Sequence, residues 1–197
     1  MGEYMKNIVI IGAGDLGKEL VWLIEDINRA KPTYVIVGFL DDDSSKWGRE
    51  YYGYSVLGGT QMLTELNEKL DLYAVIAMQE GINRRKIYEA NPTYYKWESI
   101  VHPTAVIASS TSYGAGTVIF PNVTVSVDTK MGAFGLYYIQ SIICNDCRIG
   151  DFVSVMSGAL VSEHAEIGDE CFLGAGACVY PHEAITAGTV LGVHETK

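Results

Sequence analysis

The sequence predicts a two-domain chain: a Rossmann-like α/β domain over residues 1–98 and a parallel β-helix over residues 99–197. Two observations predict it. In the first half, short β-branched runs alternate with segments whose apolar residues recur at helical spacing, the pattern of βαβ units around a parallel sheet. In the second half, an apolar or aromatic residue recurs every six positions from Val101 to Leu191 with no break in register.

Residues 7–11 form the first strand. They run into Gly12-Ala13-Gly14-Asp15-Leu16-Gly17, a G-x-G-x-x-G turn, and then into a helix over residues 18–29, where Leu20, Val21, Leu23, Ile24 and Ile27 share one face. Residues 34–40 form a second strand, closed by Asp41-Asp42-Asp43. Residues 59–69 read as a second helix, 73–78 as a third strand and 83–90 as a third helix. The junction carries Pro92, Tyr94, Tyr95, Lys96 and Trp97. No flexible linker is visible there, so the domains are expected to pack together, with the aromatic residues between them.

In the repeat half, sixteen positions from Val101 through Ile107 and Tyr113 to Ile185 and Leu191 are all apolar or aromatic. With 48% of the chain apolar, chance gives such a run roughly once in 10⁵ trials. Two residues before each member, from Ala105 to Thr189, the residue is small or β-branched, Glu183 excepted. A narrow coil takes one large and one small side chain from each flat face into its interior, and stacked coils cover each other's open edges. Gly132, Gly150, Gly168 and Gly192 follow large members and are expected where the chain turns. An ordinary sandwich has period 2 and irregular turns, and does not produce this register.

Composition narrows the function classes. The net charge of -10 makes nucleic acid a poor partner. No stretch reaches the roughly 18 apolar residues of a membrane helix, and the N-terminus lacks a cleavable leader pattern, so a cytoplasmic location is expected. Cys144, Cys147, Cys171 and Cys178 read as small residues in a reducing compartment. Cys144-x-x-Cys147 has metal-ligand spacing, but Cys147 and Cys171 fall at inward positions and zinc needs four convergent ligands. No metal is expected. Cys144 and Cys178 have no evident partner that would activate a thiol.

Two constellations carry chemistry. Gly12, Gly14 and Gly17, with Asp15, open a helix directly after a strand. Glycines there let a phosphate approach the helix N-terminus, and Asp41 and Asp42 stand where a carboxylate accepts from a ribose hydroxyl or a base N–H. A domain of residues 1–98 is too short for the two halves that cradle NAD, so a mononucleotide site is expected. The competing reading is a turn that needs glycine only for packing. The second constellation is Asp146, His164 and His182, each 18 residues apart. If three hexads make one coil, they stack about 4.8 Å apart. Asp146 beside His164 would fix the imidazole tautomer and make His164 a general base. The bland alternative is a stack of surface histidines.

These fragments, in order, resemble a known group. Residues 8–17 with Lys18-Glu19, then Gly38-Phe39-Leu40-Asp41-Asp42, Arg84-Arg85-Lys86-Ile87-Tyr88, Ile100-Val101-His102-Pro103 and Ile149-Gly150-Asp151-Phe152 are similar to the PglD-like and NeuD-like sugar acetyltransferases of the hexapeptide-repeat superfamily. The resemblance implies a left-handed β-helix, a homotrimer, acetyl-CoA as co-substrate in a groove near Gly174, Ala175 and Gly176, and a UDP-linked amino sugar at the first domain. It implies N- or O-acetylation in surface polysaccharide or glycan synthesis. The chain departs from the family at its general base: Asn145 stands where the family has histidine, and Ser154 where it has a second one. An amide has no useful basicity near neutral pH, so Asn145 could only orient a substrate. The chain stops at Lys197 where the family continues into a tail that helps hold CoA, which predicts weaker CoA binding. Tyr138 is expected to narrow the acceptor pocket. Asp151, Glu163, Glu166, Asp169 and Glu170 read as a solvated face. The alternative function is a non-catalytic nucleotide-sugar-binding trimer, a regulator or scaffold.

Overall fold

The computed structural model describes residues 5–197. The chain forms two compact units. One runs to Gln79 and takes in Asn83–Glu98; the other comprises Glu80–Ile82 and Ser99–Lys197.

The first unit is an α/β domain. Its strands are β1 (Lys6–Ile11), β2 (Tyr34–Leu40), β3 (Glu50–Tyr51), β4 (Tyr54–Gly58) and β5 (Leu72–Ile76), in the order β3-β4-β2-β1-β5. All pair parallel except β3 with β4. Ile8 to Ile11 are fully buried, as expected of a central parallel strand covered on both faces. Helix α1 (Asp15–Ala30) buries Leu16, Leu20, Val21, Leu23 and Ile24 on one face. It begins three residues before the sequence predicts, because the glycine turn is itself the first helical turn. A Cβ on Gly17 would meet the Gly12 carbonyl oxygen at 2.3 Å, so only glycine fits there.

Helix α2 (Leu63–Leu70) follows a 3₁₀ turn at Thr60–Met62, and α3 spans Gly81–Ala90. The β3–β4 hairpin is absent from the sequence reading. Its turn residues Tyr52 and Gly53 both have positive φ, 54° and 85°, the geometry of a two-residue hairpin turn. Tyrosine at the first of these positions hides the signal. The Tyr94 and Trp97 rings meet at 5.0 Å, and the Tyr94 hydroxyl donates to the Leu72 carbonyl at 2.6 Å, within the first domain.

The second unit is a left-handed parallel β-helix of sixteen two-residue strands, Ile100–Val101 to Val190–Leu191, each six residues after the last. They form three faces of six, five and five strands. Residues 18 apart are register partners throughout, for example Ile119 with Tyr137 and Ile143 with Val161. The large and small inward positions are buried as expected: Ile119, Tyr137, Ile143 and Val155, with Thr117, Cys147, Ala159 and Cys171, have no exposure. Coil ends differ, with Tyr113 exposed on the first coil.

The glycine expectation needs correcting. Gly132, Gly150 and Gly168 are not turn residues; added Cβ atoms would run into backbone of the next coil, at 2.6 Å from Gly150 C and 2.5 Å from Ala187 N in the first and last cases. The turning residues lie two positions later. Asn122, Asp128, Phe134, Gln140, Asp146, Phe152, Gly158 and His164, six apart, all have φ between +55° and +67°, and the series continues to His194. Asn, Asp and His are the non-glycine residues most tolerant of that conformation.

Candidate functional site

The glycine loop closes on the end of β2. The Asp41 carboxylate accepts from the Ala13 N–H (2.8 Å) and Lys46 Nζ (2.7 Å) through one oxygen, and from the Asp43 N–H (2.9 Å) through the other. Burial pushes the Asp41 carboxyl upward, but the Lys46 hydrogen bond and the two backbone N–H bonds outweigh it and hold the group below its usual range. Asp42 caps the turn before α2, accepting from the Thr60 N–H at 2.7 Å. Asp43 caps the turn at Ser44–Lys46 through the Ser45 N–H. The aspartates that sequence spacing offers to a ribose therefore already hold the loop and two helix starts. Gly14 caps α1 with no side-chain hydrogen bond, and an added Cβ there would meet nothing within 4 Å. Open space thus stands at the positive end of a 16-residue helix. Asp15 heads that helix, exposed, in a depression shared with Lys18, Glu19 and Trp22. Lys46 is the residue that sequence reasoning missed here; no spacing rule points five residues past Asp41.

In the β-helix, the column predicted from 18-residue spacing is present. His164 and His182 stack with ring centroids 4.7 Å apart and planes 4° apart. Both share a depression of about 540 Å³ with Asp146, Arg148, Glu166 and Ala184. It lies at the second edge, where the chain passes from the second face to the third. The contact inside the column differs from the expectation. Asp146 accepts from Asn145 Nδ2 at 2.7 Å, and no hydrogen bond joins it to His164 among the described residues. Asn145 and His164 are linked through backbone, His164 N–H to Asn145 carbonyl at 3.1 Å.

The other expected residues fall elsewhere. Gly174, Ala175 and Gly176 lie at the first edge, between the first and second faces. Coil geometry alone accounts for both glycines there: a Cβ on Gly174 would meet Gly192 C at 2.8 Å, and Gly176 has φ +66°. Ser154 is buried on the first face. Tyr138 is buried and stacked on Phe120, with ring centroids 4.4 Å apart. Asp151 and Asp169 are not merely solvated. Asp151 accepts from the Ala133 N–H at 2.7 Å and Asp169 from the Asp151 N–H at 2.9 Å, tying successive coils where edge N–H groups would otherwise lack acceptors. Cys147 and Cys171 are core residues whose thiols burial pushes up, and burial with nearby Glu163 does the same to Cys144. None is poised as a nucleophile.

The outward rows distinguish the faces. The second carries Val106, Thr124, Ile142, Leu160 and Cys178, with no charge, and Val106 and Ile142 are 64% and 44% exposed. The third carries Ser112, Lys130, Arg148, Glu166 and Ala184. Among the described residues no cluster of three or more His, Cys, Asp or Glu could hold a metal ion. No helix among them is long and apolar enough to cross a membrane.

Residues 7–90 match the family model of the PglD N-terminal domain. Comparison with curated proteins finds no match. Three solved structures share the fold over almost the whole chain. The acetyltransferase domain of PglB from Neisseria gonorrhoeae FA1090, in complex with acetyl coenzyme A, is 24% identical, with 97% of this chain and 90% of that one covered and a TM-score of 0.85. A perosamine N-acetyltransferase from Caulobacter crescentus, with one histidine replaced by asparagine and in complex with CoA and GDP-perosamine, is 24% identical, with coverage of 98% and 89% and a TM-score of 0.85. WeeI from Acinetobacter baumannii AYE is 23% identical, with coverage of 98% and 94% and a TM-score of 0.76. The chain thus shares its two-part fold with these three structures.

Proposed function

We propose that the chain is an acetyl-CoA-dependent acetyltransferase acting on a nucleotide-linked amino sugar in surface polysaccharide or glycan synthesis, and that it works as a homotrimer. The observation that carries the reading is the second edge, where Asp146, His164 and His182 line one depression beside Asn145 on a β-helix joined to a PglD-type domain. The nucleotide lies at Gly12, Gly14 and Gly17, with Asp15 at its border. Asp41 and Asp42 hold that loop and its surroundings in shape. Acetyl-CoA runs past Gly174, Ala175 and Gly176.

The placement of the two edges favours the oligomer. Gly174–Gly176 lie at the first edge and Asn145, Asp146 and His164 at the second, with the uncharged second face between. A site that uses both edges takes one from each of two copies, and a head-to-tail contact that closes on itself gives a ring.

In the reaction the sugar amine attacks the thioester carbonyl. A C–N bond forms, the C–S bond breaks, the amine proton passes to His164, and His164 returns it to the departing sulfur so that CoA leaves as the thiol. Backbone N–H groups stabilise the negative charge that develops on the carbonyl oxygen. Asn145 holds Asp146 and orients the acceptor. The perosamine N-acetyltransferase with one histidine replaced by asparagine has both CoA and GDP-perosamine bound, so in that protein the replacement leaves binding of both ligands intact.

The test measures melting temperature with acetyl-CoA, UDP-linked and GDP-linked amino sugars separately, then thiol release with both substrates together. A ligand present at 100 times its Kd stabilises by about 2.7 kcal/mol. Stabilisation by both classes with thiol release is expected, and folded His164→Ala should lose about 10²–10⁴ in turnover. The second reading, a nucleotide-sugar-binding trimer without chemistry, is favoured by one observation: Asp146 is engaged by Asn145 instead of His164. Stabilisation by the nucleotide sugar alone would establish it in place of the first.

A further inference from the structure

Charge is unevenly placed in the β-helix. Residues 99–197 contain nine Asp and Glu but only three Lys and Arg, namely Lys130, Arg148 and Lys197. Two of these three cations are register partners on adjacent strands of the third face. Like charges directly opposite one another destabilise a sheet, and a domain rich in carboxylates has ready means of avoiding the arrangement. Neither cation forms an ion pair among the described residues. Among the described residues Lys130 has no hydrogen bond or ion pair from its ammonium, and no ion pair joins Arg148 to Glu166, the next residue in its row. Arg148 donates through Nη1 alone, to the carbonyls of Asp128 (3.0 Å) and Cys147 (3.2 Å). Those bonds fix the guanidinium while Nε and Nη2 keep their donors. Both cations line a groove of about 550 Å³ along the third face, together with Gly132, Gly150, Gly168, Glu166 and Asp169. Arg148 also borders the depression of Asp146, His164 and His182.

We propose that Lys130 and Arg148 form a phosphate-binding site on the third face, which takes the phosphate or diphosphate of an organic phosphate. An anion between the two cations removes their repulsion, and a guanidinium already pinned at Nη1 offers its remaining edge to two phosphate oxygens at little further cost in order. The identity of the ligand rests on the acetyl-transfer reading, since acetyl-CoA and a nucleotide sugar both carry phosphates. The site itself does not.

The test is isothermal titration of the full chain with acetyl-CoA, dephospho-acetyl-CoA, UDP, GDP and inorganic pyrophosphate. The proteins are wild type, Lys130→Met, Arg148→Met, the double variant, and Lys130→Arg, with Lys69→Met as a remote charge control. The double variant is expected to bind at least one phosphate ligand about tenfold or more weakly, with a shallower dependence on salt. Lys130→Arg should restore most of the affinity, and the melting temperature should not fall. If acetyl-CoA is the ligand and its 3′-phosphate the group held, dephospho-acetyl-CoA mimics the double variant; if the nucleotide is, UDP or GDP binding falls instead. Wild-type affinity for every ligand in the double variant overturns the proposal and leaves the acetyltransferase reading standing. Pair-dependent binding of pyrophosphate, with no binding of acetyl-CoA by wild type, keeps the site and removes that reading.

Discussion

The Asp41 carboxylate joins two backbone N–H groups and one lysine, so its loss should be felt beyond its own position. Asp41→Ala leaves the Ala13 and Asp43 N–H groups without their acceptor and frees Lys46. The expected cost is about 1–3 kcal/mol, read as an earlier urea midpoint. The pH dependence has a definite sign. An unfolded aspartate titrates near 3.9, and the folded Asp41 titrates lower. Its contribution is therefore complete above the unfolded value and is lost as pH falls through the folded one. Wild type should lose stability between about pH 4 and the folded value more steeply than Asp41→Ala; parallel acid limbs would show that Asp41 is not coupled to folding. Ser141 offers the opposite case. Thr129 and Cys147, at equivalent inward positions, bond to the carbonyls of Cys144 and Ser162, whereas Ser141 Oγ is buried without a partner among the described residues. The next coil has Ala159 at that position. Ser141→Ala should raise the melting temperature by about 2–4 °C for each kcal/mol of penalty removed, measured by calorimetry.

At the scale of the coil, two glycines with different duties should respond differently to alanine. Gly150→Ala drives a Cβ to 2.7 Å from the Asp169 backbone nitrogen, a clash that neither coil can relieve alone. Gly158→Ala enters open space at φ +67° and should cost only the left-handed backbone penalty, about 1 kcal/mol. Gly150→Ala should therefore be the less stable variant in denaturant titration; equal midpoints would mean the coils separate more easily than their ladder suggests. This distinction explains what was legible in the sequence. The inward code repeats every six residues because burial selects residue type strongly, so the register from Val101 to Leu191 needed no structure. The turn code is weaker. Phe134, Gln140 and Phe152 occupy left-handed positions that favour glycine or asparagine, since the coil above and below fixes their backbone. In the first domain, Leu20 to Ile24 announced α1, but the β3–β4 hairpin hid behind Tyr52. The histidine column was legible because stacking follows from spacing alone. Its hydrogen bonds were not, because Asn145, one residue from Asp146, outcompetes His164 for the carboxylate by simple proximity.

For the whole molecule, the proposed assembly makes the second face decisive. Val106, Ile142 and Leu160 form an outward row with no charge, on a chain whose net charge of -10 would otherwise keep copies apart. An interface through this face buries apolar surface at about 25 cal/mol per Å², which offsets that repulsion. It also brings the first edge of one copy to the second edge of another. Ile142→Asp puts a carboxylate at the centre of the row, 44% exposed in the single chain, so the isolated fold tolerates it while the contact does not. Sedimentation should show wild type at three times the chain mass and Ile142→Asp at one, with the same circular dichroism. If the proposed trimer shares each site between copies, the monomeric variant should also lose acetyl-CoA binding while keeping nucleotide binding at the glycine loop, which lies within one chain. If Ile142→Asp remains a trimer, the second face is not the contact and the two edges do not meet across it. If it becomes a monomer that still binds acetyl-CoA, the groove is complete in one chain, and Gly174–Gly176 need no partner's second edge.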